Sequence, residues 1–379
     1  MIYYLGYYTC EQILAEKRVA APPAMNKMNY VISVLSEIAG EQAMLISPSV
    51  TSMHRYVKGS VTRLNDRFSM KTFDSIGSSV KLIRGVGHQL TKMQLLRYLL
   101  RHIQKDDTLI VYHSLALMDI VRRVKQASGC RLILEVEELY SDVREDAALK
   151  KKEIDFLQIA DRYIMITELL NQEVNLSGKP YIISHGTYQT VPRYSGKFDD
   201  GKIHVVYAGS FNPVKGGALT AIGAAEYLDE NHVLHILGKG SEEAMAAVRR
   251  KIDETAARSR CRIIFDGFKT GREFDSFIQS CHIGLSTQQP DGKYNASSFP
   301  SKILMYMSNG LPVVSVRIPA VATSEVKDYI HYYEEPVPEK IAQAIMEVSA
   351  ECGDGVYEKL NALNEAFVAD LSDMLRSDR

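Results

Sequence analysis

The chain has no closely spaced cysteine pair, no metal-binding spacing and no long apolar run, and each absence removes a class of protein. Its five cysteines, Cys10, Cys130, Cys261, Cys281 and Cys352, are dispersed and none forms a C-x-x-C. An odd, scattered set argues against a disulfide framework and a structural zinc site, and fits a reducing cytoplasm. No stretch approaches the roughly 18–20 apolar residues that a membrane-spanning helix needs. The first residues, Met1 to Tyr8, have no basic residue ahead of them and read as a buried strand rather than a signal peptide. The ten histidines show neither H-x-x-x-H nor H-E-x-x-H, and no G-x-S-x-G places a nucleophile. A bound metal is therefore not expected.

What is present belongs to a globular protein. Hydrophobic residues make up 46% and charged residues 24% of 379, enough for about two domains with real cores. The net charge of −1 conceals an uneven distribution. From His54 to Arg131 fifteen Lys and Arg face five Asp and Glu, a local excess of ten positive charges. Such a segment suits either anionic lipid headgroups, at about 1 kcal/mol per basic residue, or a solvated helical face. No nucleic-acid module accompanies it, so nucleic acid is not an expected partner.

Short apolar strands alternate with amphipathic helices along the whole chain, the pattern of parallel sheets covered on both faces. In the first half the expected strands are Ile2–Tyr8, Gln42–Ser47, Thr108–His113, Arg131–Val136, Tyr163–Thr167 and Tyr181–Ser184. Helices are expected at Asn26–Ala39, Lys92–Ile103, Met118–Ala127 and Lys150–Ala160. A polar, turn-rich stretch from Tyr188 to Lys202 interrupts the alternation. The pattern then restarts with strands at Ile203–Ala208, His232–Leu237, Cys261–Phe265, Ile283–Ser286 and Pro312–Val316. Between them lie helices at Gly217–Leu228, Ser241–Ala256, Arg272–Ser280 and Phe299–Asn309, with two more at Pro338–Ala350 and Tyr357–Leu375. The expected fold is α/β, with two Rossmann-like domains, residues 1–190 and 191–356, facing each other across a cleft. The last helix, 357–375, would return to the first domain. Ligands of such sheets bind beyond the carboxyl ends of the strands.

Three loops in the second half occupy such ends. Gly209 to Gly217 lets the backbone approach an anion, with Ser210 beside it and Lys215 as a mobile point charge. Gly238-Lys239-Gly240-Ser241 follows the next strand, and Ser241 can cap a helix whose first turn is acidic. In Ser297-Ser298-Phe299-Pro300-Ser301-Lys302 a serine can cap the helix, Pro300 suits its first turn, and Gly310 can end it. Hydroxyls, free N–H groups and Lys302 at one helix start make an anion site. Each loop taken singly also fits a plain structural turn or cap.

Taken in order, Gly209…Lys215-Gly216, Gly238-x-Gly240, Phe265-x-Gly267-Phe268, Ser298-Phe299-Pro300-Ser301-Lys302 and Gly310-Leu311-Pro312-Val313-Val314 resemble the donor domain of GT-B glycosyltransferases. The nearest group is the family 4-like enzymes that build bacterial capsule, O-antigen and exopolysaccharide. The resemblance implies a retaining, metal-independent glycosyltransferase that uses a nucleotide-sugar, a UDP-sugar first, with no further cofactor. It puts Lys215 and Lys302 on the leaving diphosphate, Gly267, Phe268 and Lys269 at the base, and Ser297 to Ser301 on the sugar and diphosphate. The family's common acidic pair would fall at Ser297 and Met305, where this chain has no acid, and Ser210 replaces a frequent arginine. The acceptor, a glycan or lipid-linked glycan, would lie against the N-terminal domain. There Glu137 is the catalytic candidate, with Arg18, Lys27, His113 and Glu138 near the acceptor. Two other readings stay open: a sugar-nucleotide epimerase, and a non-catalytic nucleotide-sugar-binding partner of a transferase.

Overall fold

The computed structural model describes residues 1–38, 43–211, 216–288, 297–348 and 355–377. Its Cα packing divides the chain into two compact units, one of Met1–Thr187 with Ala366–Arg379 and one of Tyr188–Glu365.

The first unit runs, in order, through β1 (Ile2–Leu5), α1 (Pro22–Ile38), β2 (Ala43–Ser47), β3 (Tyr56–Val57), β4 (Val61–Arg63), β5 (Phe68–Thr72) and β6 (Ser75–Ile76). It continues with α2 (Lys81–His102), β7 (Thr108–Tyr112), α3 (Met118–Ser128), β8 (Arg131–Val136), α4 (Tyr140–Arg144), α5 (Ala147–Leu157), β9 (Arg162–Met165), α6 (Glu168–Val174) and β10 (Tyr181–Ile183). Eight strands form one sheet in the order β10-β9-β8-β7-β1-β2-β5-β4. All its pairings are parallel except that of β4 with β5. Strand order reverses at β1, so the switch point lies between β1 and β7, where a doubly wound sheet leaves room for a ligand. Ile133 and Leu134 in β8 and Leu109 and Ile110 in β7 are fully buried, which is why these strands read as unbroken apolar runs.

Two expectations change here. The first strand stops at Leu5 rather than Tyr8. A Cβ on Gly6 would meet Met28 Cε of α1 at 2.6 Å, so α1 crosses the strand end where a side chain is missing. Helix α2 begins at Lys81, well before Lys92; every residue from Lys81 to Val86 is exposed, so no apolar face turned toward the sheet marks its start. The end of the chain also belongs to this unit. Phe367 stacks on Tyr30 at 5.2 Å, and Arg131 and Arg162 take the last carbonyls of the final helix, those of Leu375 and Met374.

The second unit contains β11 (Ile203–Phe211), α7 (Gly217–Ala224), β12 (His232–Gly240), α8 (Glu242–Ala256), β13 (Arg262–Gly267) and α9 (Gly271–Ser280). After these come β14 (Ile283–Ser286), α10 (Ser301–Ser308), β15 (Val313–Val316), α11 (Pro319–Ala322), β16 (Ile330–Tyr333), α12 (Pro338–Glu347) and α13 (Gly355–Arg376), the last crossing into the first unit. The six strands are parallel in the order β13-β12-β11-β14-β15-β16. This is the Rossmann order, with its switch point between β11 and β14. β11 stays paired with β12 from Ile203 to Phe211, but it pairs with β14 only at Val205 and Val206. The two strands therefore part before their carboxyl ends.

Candidate donor and acceptor sites

The parting of β11 and β14 is filled from α10. Tyr306 lies against Gly284, where a Cβ would come within 2.3 Å of its ring. Its hydroxyl accepts from Ala208 N at 2.8 Å and donates to Leu285 O at 3.4 Å, so one phenol satisfies both separated strands. Lys302 stands one turn earlier on the same face of α10. Its side chain crosses Gly209, where a Cβ would meet Cε at 2.5 Å, and its ammonium lies over the Tyr207 ring at 4.8 Å from the centroid. Among the described residues no carboxylate pairs with it. The same strand end leads to α7, whose first residue, Gly217, could not carry a Cβ without meeting Thr287 O at 2.5 Å and the Tyr207 hydroxyl at 2.7 Å. Two helix starts and one ammonium thus collect at the carboxyl end of β11, an arrangement that attracts anions.

The capping expectation for this helix is corrected. α10 starts at Ser301 with Pro300 in the N-cap position and no side-chain cap, so neither Ser297 nor Ser298 is its cap. Ser297 and Phe299 are buried, Ser298 and Pro300 are half-buried and Ser301 is exposed. Lys215 lies outside the described residues, as do Asn295 and Ala296.

The ends of β12 and β13 extend this site. Gly209 and Gly238 are in register, and Gly238, at φ +153°, has no space for a Cβ, which would lie 1.9 Å from Gly209 O. Ser210 is exposed. Gly267 (φ +74°) turns the chain so that Phe268 stands half in solvent. The Lys239 ammonium covers that ring at 3.9 Å from the centroid. An exposed aromatic under a cation is the kind of surface on which a planar base stacks. Lys269 instead pairs with Glu273 at 2.8 Å, one turn along. Lys239 was not among the expected site residues; its position between two glycines at the carboxyl end of a strand was the available signal.

In the first unit the residues after β8 meet α1 in a buried polar cluster. Lys27 is 4% exposed and its Nζ donates to Ser184 O (2.7 Å), Ser184 Oγ (2.8 Å) and Gly186 O (3.4 Å) in the loop after β10. It also lies 3.5 Å from Glu137 Oε1. Glu135, two residues back on the same face, is fully buried and accepts a hydrogen bond from the Tyr4 hydroxyl of β1. Burial, then the neighbouring Glu137 carboxylate, push the Glu135 carboxyl up to about 7, against the pull of Lys27 and Tyr4. Burial also raises Glu137, and Lys27 again opposes it. The cluster thus holds two carboxyls and one ammonium, and the Glu135 carboxyl keeps its proton to a higher pH than an ordinary carboxylate does. Glu138 is half-buried, and after burial it contributes most to raising the Tyr140 phenol.

Arg18 and His113 have other tasks. Arg18 donates to Ser49 O (2.8 Å), Phe73 O (3.0 Å) and Lys58 O (3.4 Å) and to Glu16 (2.5 Å), so its guanidinium joins three backbone segments instead of facing a phosphate. His113 is buried at the end of β7, with Nε2 2.7 Å from Glu153 Oε1. The Glu153 carboxylate also receives Tyr140 N and Ser141 N at the start of α4. Burial raises Glu153, but these hydrogen bonds, His113 first, outweigh it and hold the carboxyl below its ordinary value. Both residues tie loops to the sheet.

Residues 202–351 match the family model described as glycosyl transferases group 1. The fold of the chain is GT-B. Solved structures similar along the whole length include apo OtsA, at 12% identity and TM-score 0.67 over 100% of this chain and 99% of that one. A second is the structure titled trehalose-6-phosphate from E. coli bound with UDP-2-fluoro glucose, at 12% identity and TM-score 0.66 over 98% of each. A third is a UDP-forming alpha,alpha-trehalose-phosphate synthase from Burkholderia xenovorans in complex with glucose-6-phosphate, at 11% and TM-score 0.64 over 100% of each. No curated protein sequence matches the chain. The GT-B fold agrees with the sequence-based expectation, and the family match supports a glycosyltransferase. These three structural neighbours are OtsA and trehalose-phosphate synthase structures, whereas the sequence resemblance pointed to capsule and O-antigen enzymes.

Proposed function

We propose that this GT-B chain transfers a sugar from a UDP-sugar to a hydroxyl of a sugar acceptor, with retention of configuration. The observation that carries the reading is the β11 end of the second unit, where Lys302 crosses Gly209 between the starts of α7 and α10. In this role Lys302 and Lys215 neutralise the leaving diphosphate as its charge develops. Phe268 and Lys239 hold the base, and Ser297 to Ser301 contact the sugar. Glu137, kept beside Lys27, orients the acceptor hydroxyl or stabilises positive charge at the anomeric carbon. The acceptor class follows one of two patterns: a phosphorylated monosaccharide, as in the glucose-6-phosphate complex of the similar synthase, or a lipid-linked surface glycan taken at the inner face of a membrane. The domains would divide the work, with 1–190 serving the acceptor and 191–356 the donor.

The test is release of UDP from UDP-glucose, followed with and without glucose 6-phosphate or a lipid-linked glycan. Acceptor-dependent UDP release that falls at least about a hundredfold in Lys302→Ala supports the assignment. Conversion of the UDP-sugar to an isomer without acceptor would identify an epimerase instead. Nucleotide binding without turnover in the presence of acceptor would identify a partner subunit.

A further inference from the structure

We propose that α2 docks the chain on an anionic lipid bilayer. The helix runs for 22 residues, KLIRGVGHQLTKMQLLRYLLRH, and contains no acidic residue. It contributes five cations, Lys81, Arg84, Lys92, Arg97 and Arg101. One face, Gly87, Thr91, Leu95 and Leu99, is buried, and the helix lies so close to β6 that a Cβ on Gly87 would meet Ile76 O at 2.4 Å. At 100° per residue the opposite face carries Leu82, Val86, Met93 and Leu100. These are not small exposures: Leu82 is 78% and Val86 59% accessible, and Ile83 and Val80 beside them are about half accessible. From Ser79 to Val86 every residue is exposed. An ordinary surface helix is apolar toward its sheet and polar outward. This one is apolar on both sides, and its outward stripe is edged by Arg97 and Arg101 on one side and by Lys81 and Lys92 on the other, with no acid.

That combination selects the occupant. A protein partner covering an apolar stripe needs only apolar complement, whereas a stripe edged by lysine and arginine with no acid matches hydrocarbon beneath anionic headgroups. None of the described helices is long and apolar enough to cross a membrane, so the contact would be peripheral. The placement also has a consequence for the proposed transfer, on which this part rests. Gly85, His88, Gln89 and Lys92 of α2 line a hollow of about 530 Å³ together with Tyr7 after β1 and Ala116 after β7. That hollow lies at the switch-point end of the first sheet, so a helix seated in the headgroup layer would hold it next to lipid-linked acceptors.

The experiment is co-sedimentation of the full chain with equimolar phosphatidylcholine–phosphatidylglycerol vesicles and with pure phosphatidylcholine vesicles. Wild type should bind the anionic vesicles and release them as salt rises. Leu82→Glu with Val86→Glu should weaken binding about tenfold or more, and Arg97→Ala about fivefold. Both variants change exposed residues, so their melting temperatures should equal that of wild type. Absence of binding to anionic vesicles, or equal binding by the variants, overturns the proposal. So does a concentration-dependent dimer, seen by light scattering, that the same variants abolish, because the stripe would then receive a second copy. The readout uses no donor and no turnover. Its failure leaves the transferase reading intact, and a failed UDP-release assay leaves the docking result intact.

Discussion

Replacing Lys27 by methionine keeps most of its volume and removes one buried ammonium, and the structure gives the size of the effect. Three hydrogen bonds to Ser184 and Gly186 disappear, and Glu137 is left 18% exposed without its cation. Removing one member of a buried ion pair costs about 3–5 kcal/mol, because the remaining charge and its carbonyl partners stay desolvated. For a unit of this size that corresponds to a fall in melting temperature of roughly 6–20 °C. The loss should be partly recovered by removing the stranded carboxylate. Lys27→Met combined with Glu137→Gln should cost about 1–3 kcal/mol less than Lys27→Met alone. Urea denaturation of the wild type, both single variants and the double variant measures this directly. A Lys27→Met cost below about 1 kcal/mol, or simple additivity in the cycle, would refute the view that Lys27 compensates Glu137.

Other outcomes follow from the same geometry. Glu135 has a folded-state value of about 7 against an ordinary 4.5, so the folded state binds the extra proton between these pH values. Its contribution is full below pH 4.5 and is lost as pH rises through 7, an amount of about 3 kcal/mol; Glu135→Gln should flatten that slope in urea titrations from pH 4.5 to 7.5. Gly238→Ala should cost about 2 kcal/mol or more in the same assay, since φ +153° and the Gly209 carbonyl leave a Cβ no space. Gly209→Ala meets only the flexible end of Lys302, so it should leave stability within about 0.5 kcal/mol while weakening UDP binding in calorimetry. Arg18→Ala should lower stability by about 2–4 kcal/mol with no change in UDP affinity, as expected of a residue that joins Ser49, Lys58 and Phe73.

Much of the second unit was legible because parallel strands buried on both faces read as continuous apolar runs, as at Ile203–Ala208 and Ile283–Ser286. Lys302 was legible for a different reason: a hydroxyl-rich start before it and Gly310 after it mark a helix whose beginning faces a strand end. The strands between Tyr56 and Ile76 were not, since pieces of two to five residues are too short to show a period. Strand β16 escaped because His331, Tyr332 and Tyr333 interrupt its apolar run. Arg18 and His113 looked like ligands for the polar chemistry they carry. Their true partners, backbone carbonyls from three segments and the carboxylate of α5, converge only in the folded chain. The Tyr4–Glu135 bond joins residues 131 apart, which no local pattern encodes. Glu135 and Glu137, by contrast, stand two apart on a strand, and that spacing alone places both on one face.

The most direct test of the donor assignment is calorimetric titration of UDP and a UDP-sugar into wild type and Lys302→Ala at constant salt. The account predicts binding by wild type and a loss of about tenfold or more in the variant, with an unchanged melting temperature for the free proteins. Equal affinity in both, or no binding of any UDP species to wild type, would contradict a diphosphate site at the end of β11.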